Sequence, residues 1–233
     1  MKFFVGTSAY SVPEWKGTFY PEKLPLKKML NYYGQHFSTV EVNYTFRRMP
    51  TATLLEGWAE QVPEDFRFSL KSPQTITHFK RLKGVADEVE SFIEASLTLK
   101  DRLGPLMFQL PPNFQMDLER LESLLKLINK RVKVAFEFRH ESWFSAEVHA
   151  LLKKHSAALC LADTDEAPID KLVSTARWGY IRLRKDDYTD SQLKQWIKKL
   201  QAEAWDAVYL YFKHEDTGNG PRLAARFLEL ASK

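Results

Sequence analysis

Short apolar runs alternate along the chain with longer stretches of mixed residues, and each run ends on polar or charged side chains. The eight runs lie at 3–8, 40–43, 68–71, 106–109, 134–139, 159–163, 180–182 and 208–214. Runs of this length and composition are typical of buried strands. When a buried strand ends on Glu, Lys or Arg, the charged group is removed from water, which costs free energy unless the group is paired with another or has a role in binding or catalysis.

Helical patterns separate most of these runs. One apolar stripe at helical spacing runs through 118–128, and Thr189 with Gln192 forms a capping-box pattern before another helix. The connection 164–175 has the weakest helical pattern. Eight strand–helix repeats predict an α/β fold, a single parallel eight-stranded (β/α)8 TIM barrel over residues 1–233. An open doubly wound sheet is the alternative, although neither a Rossmann glycine fingerprint nor a Walker loop is present.

Polar positions recur on one side of the predicted strands, because side chains alternate along a strand. In a barrel the apolar side faces the outer helices, so the polar side points inward. Its last members reach the C-terminal mouth, where active sites of such barrels lie. The candidate catalytic residues are Glu41, Lys71, Glu137 and Asp163, and the candidate substrate-binding residues at this mouth are Asn43, Gln109, Arg139, His140, Arg182 and Tyr211.

Charges of both signs in a half-enclosed mouth shift one another's pKa values and suit acid–base chemistry. Glu41 or Glu137 would act as the general base, Lys71 as an electrophile or proton donor, and Arg139 and Arg182 as anion clamps. Burial that lowers the pKa of Lys71 would also make it a Schiff-base nucleophile. The alternative is that these charges pair with one another inside the barrel and have a purely structural role.

Two loops carry further binding candidates. Gly218 and Gly220 begin the last predicted helix, where backbone N–H groups could bind a phosphate, as barrels of this kind often do. A plain tight turn is the alternative there. Trp15 belongs to an aromatic-rich first loop that could stack on a base or sugar ring, or equally pack on the barrel as a lid.

Three histidines follow strand ends and raise the question of a metal. His78, His140 and His214 could ligate a divalent metal together with Glu137 and Asp163. No close spacing of two histidines on one helix accompanies them. The sequence therefore leaves the metal unknown, and it contains no nucleotide-cofactor motif.

Composition narrows the class of protein. The 233 residues are 44% hydrophobic and 27% charged, with a formal net charge of +4 spread along the chain. This balance permits a nucleic-acid partner but supports one only weakly. The one cysteine, Cys160, lies in an apolar run, which excludes a disulfide framework and fits a reducing compartment. Because no apolar run is long enough for a signal peptide or a membrane span, we expect a cytoplasmic protein without membrane association.

Several longer motifs occur in order along essentially the whole chain. They are Gly6-Thr7-Ser8, Trp15-Lys16-Gly17, Phe19-Tyr20-Pro21, Glu41-Val42-Asn43, Lys71-x-Pro73, Thr77-His78, Gln109-Leu110-Pro111-Pro112 and Glu137-Phe138-Arg139-His140. Together they resemble the YecE-like family of domains of unknown function. The resemblance implies a (β/α)8 barrel and supplies no activity. The chain departs from the family pattern at Ala9-Tyr10, at Arg47 and at 212–215.

The mixed-charge mouth predicts an enzyme, of the hydrolase, isomerase or lyase kind, that acts on a small polar, anionic or sugar-like substrate by general acid–base chemistry. One alternative is a metal-dependent hydrolase or nuclease-like enzyme, suggested by barrel analogy, the histidines and the basic charge. Another is a non-catalytic module that binds a nucleotide or an anion.

Overall fold

Eight parallel strands form one sheet in the order β1-β8-β7-β6-β5-β4-β3-β2. The computed structural model describes residues 1–213 and 218–232. Because β1 also lies beside β2, the sheet nearly closes on itself, and the predicted (β/α)8 barrel is confirmed. The strands are β1 (Lys2–Thr7), β2 (Thr39–Val42), β3 (Arg67–Lys71), β4 (Leu103–Gln109), β5 (Val134–Glu137), β6 (Ala158–Asp163), β7 (Trp178–Leu183) and β8 (Ala207–Phe212).

Helices follow most strands, as the apolar stripes predict. They are α1 (Met29–Gly34), α2 (Tyr44–Arg47), α3 (Ala52–Ala59), α4 (Ala86–Leu97), α5 (Leu118–Ile128), α6 (Ala146–Lys154), α7 (Asp190–Gln201) and α8 (Asn219–Ala231). The predicted capping box is present before α7, where the N–H of Gln192 donates to Thr189 Oγ1 and the N–H of Thr189 donates to Gln192 Oε1. Residues 164–177, between β6 and β7, form no helix, in agreement with their weak pattern.

The barrel closes between β1 and β2 through a side chain. The hydroxyl of Tyr33 donates to the carbonyl of Thr39 on β2 at 3.0 Å and accepts the N–H of Thr7 on β1 at 2.8 Å. Gly6 makes this approach feasible, because a Cβ there would lie 2.0 Å from the Thr39 carbonyl oxygen. The phenol thus replaces the backbone ladder at this seam and satisfies both strands.

The interior of the barrel changes character along its axis. Near the strand starts it is filled by apolar and aromatic side chains, and Phe4 stacks on Tyr209 with ring centroids 4.7 Å apart. Toward the strand ends the inward side chains are ionic and amide groups, among them Glu41, Glu137 and Arg182, which are all buried. The fold therefore concentrates its buried charge at the C-terminal mouth.

Candidate active site

The ionic network, made of Glu41, Glu137 and Arg182, lies inside the barrel. The Arg182 guanidinium donates to Glu41 Oε1 at 2.9 Å and to Glu137 Oε2 at 2.5 Å. The three side chains come from β2, β5 and β7 and are at most 3% exposed. Buried charges persist only when they are paired and hydrogen-bonded. Among the described residues Glu41 has Arg182 as its ion-pair partner, whereas Glu137 pairs with both Arg182 and Arg139.

Both carboxylate oxygens of Glu137 are occupied. Oε1 accepts from Gln109 Nε2 at 2.7 Å and from Arg139 Nε at 3.1 Å, while Oε2 faces Arg182 and the thiol of Cys160. Burial alone would raise the pKa of Glu137, but the charges of Arg182 and Arg139 and the hydrogen bonds outweigh it and lower the pKa to about 2. Glu137 is thus a permanent anion that holds other side chains in place.

Lys71 ends the hydrogen-bonded chain that begins at the ionic network. Its Nζ donates to Gln109 Oε1 at 2.9 Å and lies 4.1 Å from the centre of the Phe46 ring. Burial and the nearby positive charge of Arg182 lower the pKa of Lys71 from 10.5 to about 8, although Glu41 and Glu137 oppose the shift. An amine with such a pKa exchanges protons readily near neutral pH.

Four basic side chains, Lys71, His78, Arg139 and Arg184, form what we call the basic rim. Burial lowers the pKa of Arg184, and the positive charges of Arg182 and Arg139 lower it further. Burial also lowers the pKa of His78, with contributions from Lys71 and Arg139. Lys71, Arg139 and Arg184 lie at or just after the ends of β3, β5 and β7, so an anionic ligand at the mouth would meet positive charges from three strands.

Two interior residues of the site were missed in the sequence. Tyr180 donates its hydroxyl to Glu41 Oε2 at 2.7 Å, and Arg184 belongs to the basic rim. Both lie two positions from Arg182, so the alternation that selected Arg182 also selects them.

Asp163 does not join the other candidates, so the expectation that it faces the mouth is wrong. Its carboxylate accepts the backbone N–H of Ile169 and the hydroxyl of Tyr188, both at 2.9 Å, and lies 3.6 Å from Lys185 Nζ. On β6 the inward position is that of Cys160, which reaches Glu137. Asp163 is three positions further and therefore points to the opposite side of the strand.

This position gives Asp163 a structural role that is testable. We expect Asp163→Asn to lower the free energy of unfolding by about 1–3 kcal/mol, because the hydroxyl of Tyr188 and the ammonium of Lys185 lose a buried acceptor. Binding of inorganic phosphate at the mouth should not change. Denaturant unfolding and calorimetry measure both, with Asp165→Asn as the exposed control. Lost phosphate binding at unchanged stability would return Asp163 to the site.

Two substrate-binding candidates are buried away from solvent. Trp15 is 1% exposed and packs against Phe19 and Tyr20, so it belongs to the core beneath the first loop. The hydroxyl of Tyr211 lies 2.6 Å from Ser69 Oγ and 2.9 Å from Thr39 Oγ1 inside the barrel. Because Trp15 is 1% exposed and Tyr211 is 0% exposed, neither side chain offers surface to a ligand at the mouth.

Asn43 and His140 lie at strand ends near the mouth and are half-buried. Asn43 Nδ2 donates to the carbonyl oxygen of Ser8 at 2.6 Å and so ties the ends of β1 and β2 together. His140 Nδ1 accepts the N–H of Ser142 at 3.2 Å and caps the short turn that follows β5. Their binding roles stay predictions.

Gly218 and Gly220 lie buried at the start of α8. Gly218 has φ +71 and packs against Thr18, whose Oγ1 would be 2.7 Å from an added Cβ. The glycine is therefore required by the turn itself. Phosphate binding there stays a prediction, and His214 lies outside the described residues.

The predicted metal ligands do not converge among residues 1–213 and 218–232, where no group of three His, Cys, Asp or Glu side chains could hold an ion. His78 Nδ1 instead lies 2.8 Å from Thr77 Oγ1, and its ring packs edge-on against Phe46.

Among the helices of residues 1–213 and 218–232, none has the length and apolar character needed to cross a membrane.

Fold and site together define a parallel (β/α)8 barrel with a charged C-terminal mouth. The family model described as "Protein of unknown function DUF72" matches residues 4–233, and the chain belongs to that family. UPF0759 protein YecE of Escherichia coli (strain K12) is 28% identical over 250 residues, which cover 94% of this chain and 89% of that protein. The YecE-like resemblance is therefore confirmed.

Solved structures show the same fold. A DUF72 family protein from Thermotoga maritima has a TM-score of 0.85 at 24% identity, with 100% of both chains covered. A DUF72 family protein from Enterococcus faecalis has a TM-score of 0.80 at 16% identity, covering 99% of this chain and 96% of that one. These names assign no activity, so the best indication of function is the geometry of the C-terminal mouth.

Proposed function

We propose that this protein is an enzyme that binds a small anionic substrate at the C-terminal mouth and transfers a proton to or from it through Lys71. The observation that carries the proposal is the position of the Lys71 amine. It is 9% exposed and held by Gln109 Oε1, and no carboxylate among the described residues forms an ion pair with it. Arg182, also buried, has two carboxylate partners.

The pKa of the amine supports this role. At about 8, it allows Lys71 to be present as both ammonium and amine near neutral pH, so the group can donate a proton or accept one. Glu137 is a poor general base by comparison, because its pKa is about 2 and both of its oxygens are occupied. We therefore assign Glu137 to positioning Gln109 and Arg139.

The charges around Lys71 support an anionic substrate. Arg139 is 37% exposed at its side chain, and Arg184, just after the end of β7, is half-buried. Both can donate to an anion at the mouth while the ionic network beneath remains paired. A neutral substrate would leave the repulsion within the basic rim unrelieved.

The test is turnover of a panel of phosphorylated and carboxylated small molecules, followed by mass spectrometry. We expect the wild-type protein to convert at least one of them, and Lys71→Met to slow that conversion by roughly 10²–10⁴-fold. Lys80→Met is the matched control. Lys80 lies on the connection between β3 and α4, is exposed, and pairs with Glu88 on α4.

Three outcomes would count against the proposal. Full turnover by Lys71→Met would remove the lysine from the chemistry. Protection of the folded state by an anion without any conversion would favour the non-catalytic binding module. Restoration of turnover by added Zn²⁺ or Mn²⁺ after chelation would instead support the metal-dependent alternative.

A further inference from the structure

A cleft with aromatic walls opens where β1 and β2 end. It has a volume of ≈ 580 Å³, and its lining includes Ser8, Tyr10, Asn43, Tyr44 and Trp58. The indole of Trp58 meets the rings of Tyr10 and Tyr44 edge-on, each with centroids 6.3 Å apart. We call it the aromatic cleft. Its size lies in the range of small-molecule sites.

The hydroxyl of Ser8 is an unexplained polar group in this cleft. Ser8 is 1% exposed, and its Oγ has no hydrogen-bond partner among the described residues. A buried hydroxyl without a partner is unfavourable, because the hydrogen bonds that it makes to water in the unfolded chain are not replaced. Because the Oγ atom itself is closed off from solvent, a ligand hydroxyl in the cleft would become its partner only after a small local shift of the cleft wall.

The aromatic cleft adjoins the mouth through β2. Asn43 lines the cleft and lies two positions after Glu41, which belongs to the ionic network. Tyr44, which is 50% exposed, offers an accessible ring on the outer side. Phe46, two positions after Tyr44 on α2, has its ring centre 4.1 Å from Lys71 Nζ, so α2 borders both the cleft and the basic rim. A ligand that bridges them would place an uncharged part in the cleft and a charged part at the rim.

We propose that the aromatic cleft binds the sugar ring of a phosphorylated sugar whose phosphate lies against the basic rim. The proposal rests on the proposed function and names its substrate class. Aromatic faces pack against the C–H groups of a sugar ring, and the hydroxyl of Ser8 and amide of Asn43 bond its hydroxyls. Lys71, Arg139 and Arg184 match a dianion better than a carboxylate.

Isothermal calorimetry with inorganic phosphate, glucose 6-phosphate, fructose 6-phosphate, ribose 5-phosphate and glucose tests the assignment. We expect at least one sugar phosphate to bind about tenfold tighter than inorganic phosphate. Tyr44→Ala should abolish that advantage, and Ser8→Ala should reduce it about fivefold. Both variants should keep the wild-type affinity for inorganic phosphate. Phe79→Ala is the control, because Phe79 is 70% exposed and lies outside the cleft lining.

The outcomes separate this inference from the proposed function. Equal affinity for inorganic phosphate and all three sugar phosphates would overturn the sugar subsite and leave the anion site intact. An advantage that survives both Tyr44→Ala and Ser8→Ala would overturn it as well. If no phosphate binds at all, both the sugar subsite and the proposed anion site are wrong. If glucose binds as tightly as glucose 6-phosphate, the sugar subsite stands and the contribution of the phosphate group is wrong.

Discussion

Arg182→Met is expected to lower the free energy of unfolding by about 3–5 kcal/mol, the cost of leaving buried charge without its partner. Arg182 is the only cation that contacts both Glu41 and Glu137 among the described residues, and these carboxylates are 0% and 3% exposed at their side chains. Water cannot replace the guanidinium there. Denaturant unfolding at pH 7 measures the loss.

Acid pH and a matched variant make this prediction specific. The pKa of Glu137 is lowered from 4.5 to about 2, so its contribution is present above pH 4.5 and is lost as pH falls toward 2. The difference between wild type and variant should therefore shrink across that window. Arg177→Met, which breaks an exposed pair with Asp206, should cost less than about 1 kcal/mol.

A combined variant separates charge from packing. Arg182→Met leaves Glu41 without an ion-pair partner and Glu137 with Arg139 alone. Adding Glu41→Gln and Glu137→Gln removes both buried carboxylates and should recover part of the lost stability. Equal losses for Arg182→Met and Arg177→Met would mean that the ionic network contributes no more than a surface pair.

The fold could be predicted because its signal is repeated and local. Each strand corresponds to one apolar run in the sequence. The residues of β2, β5 and β7 that point into the barrel follow from counting alternate positions. The same counting brings Glu41, Glu137 and Arg182 together. It failed at Asp163 because the end of the apolar run, and not the parity of the strand, was used to choose the inward residue.

Other features of the site depend on contacts that no local pattern encodes. The bridge from Lys71 through Gln109 to Glu137 joins β3, β4 and β5, and its existence depends on register between strands. The unpartnered hydroxyl of Ser8 depends on what surrounds it in space. Sequence reasoning can place such residues at the mouth, but their partners emerge only from packing.

Lys71→Met is expected to raise the free energy of unfolding at pH 7 by about 1–3 kcal/mol. Burial and Arg182 lower the pKa of Lys71 from 10.5 to about 8 in the folded state, so charging it there is unfavourable. Methionine fills similar space without a charge. The lost hydrogen bond to Gln109 Oε1 offsets about 1 kcal/mol of the gain.

The pH dependence identifies the cause. Between pH 8 and 10.5 the unfolded chain binds more protons at Lys71 than the folded one, so wild-type stability rises with pH across this window. The advantage of Lys71→Met should thus be full below pH 8 and disappear before pH 10.5, where only the lost hydrogen bond to Gln109 still separates the two proteins. Lys80→Met, at an exposed site, should change stability by less than about 0.5 kcal/mol at each pH. A substitution that stabilises the fold and abolishes turnover would show that the lysine is retained for chemistry. A pH-independent loss of stability would instead make Lys71 part of a network that only fills the barrel.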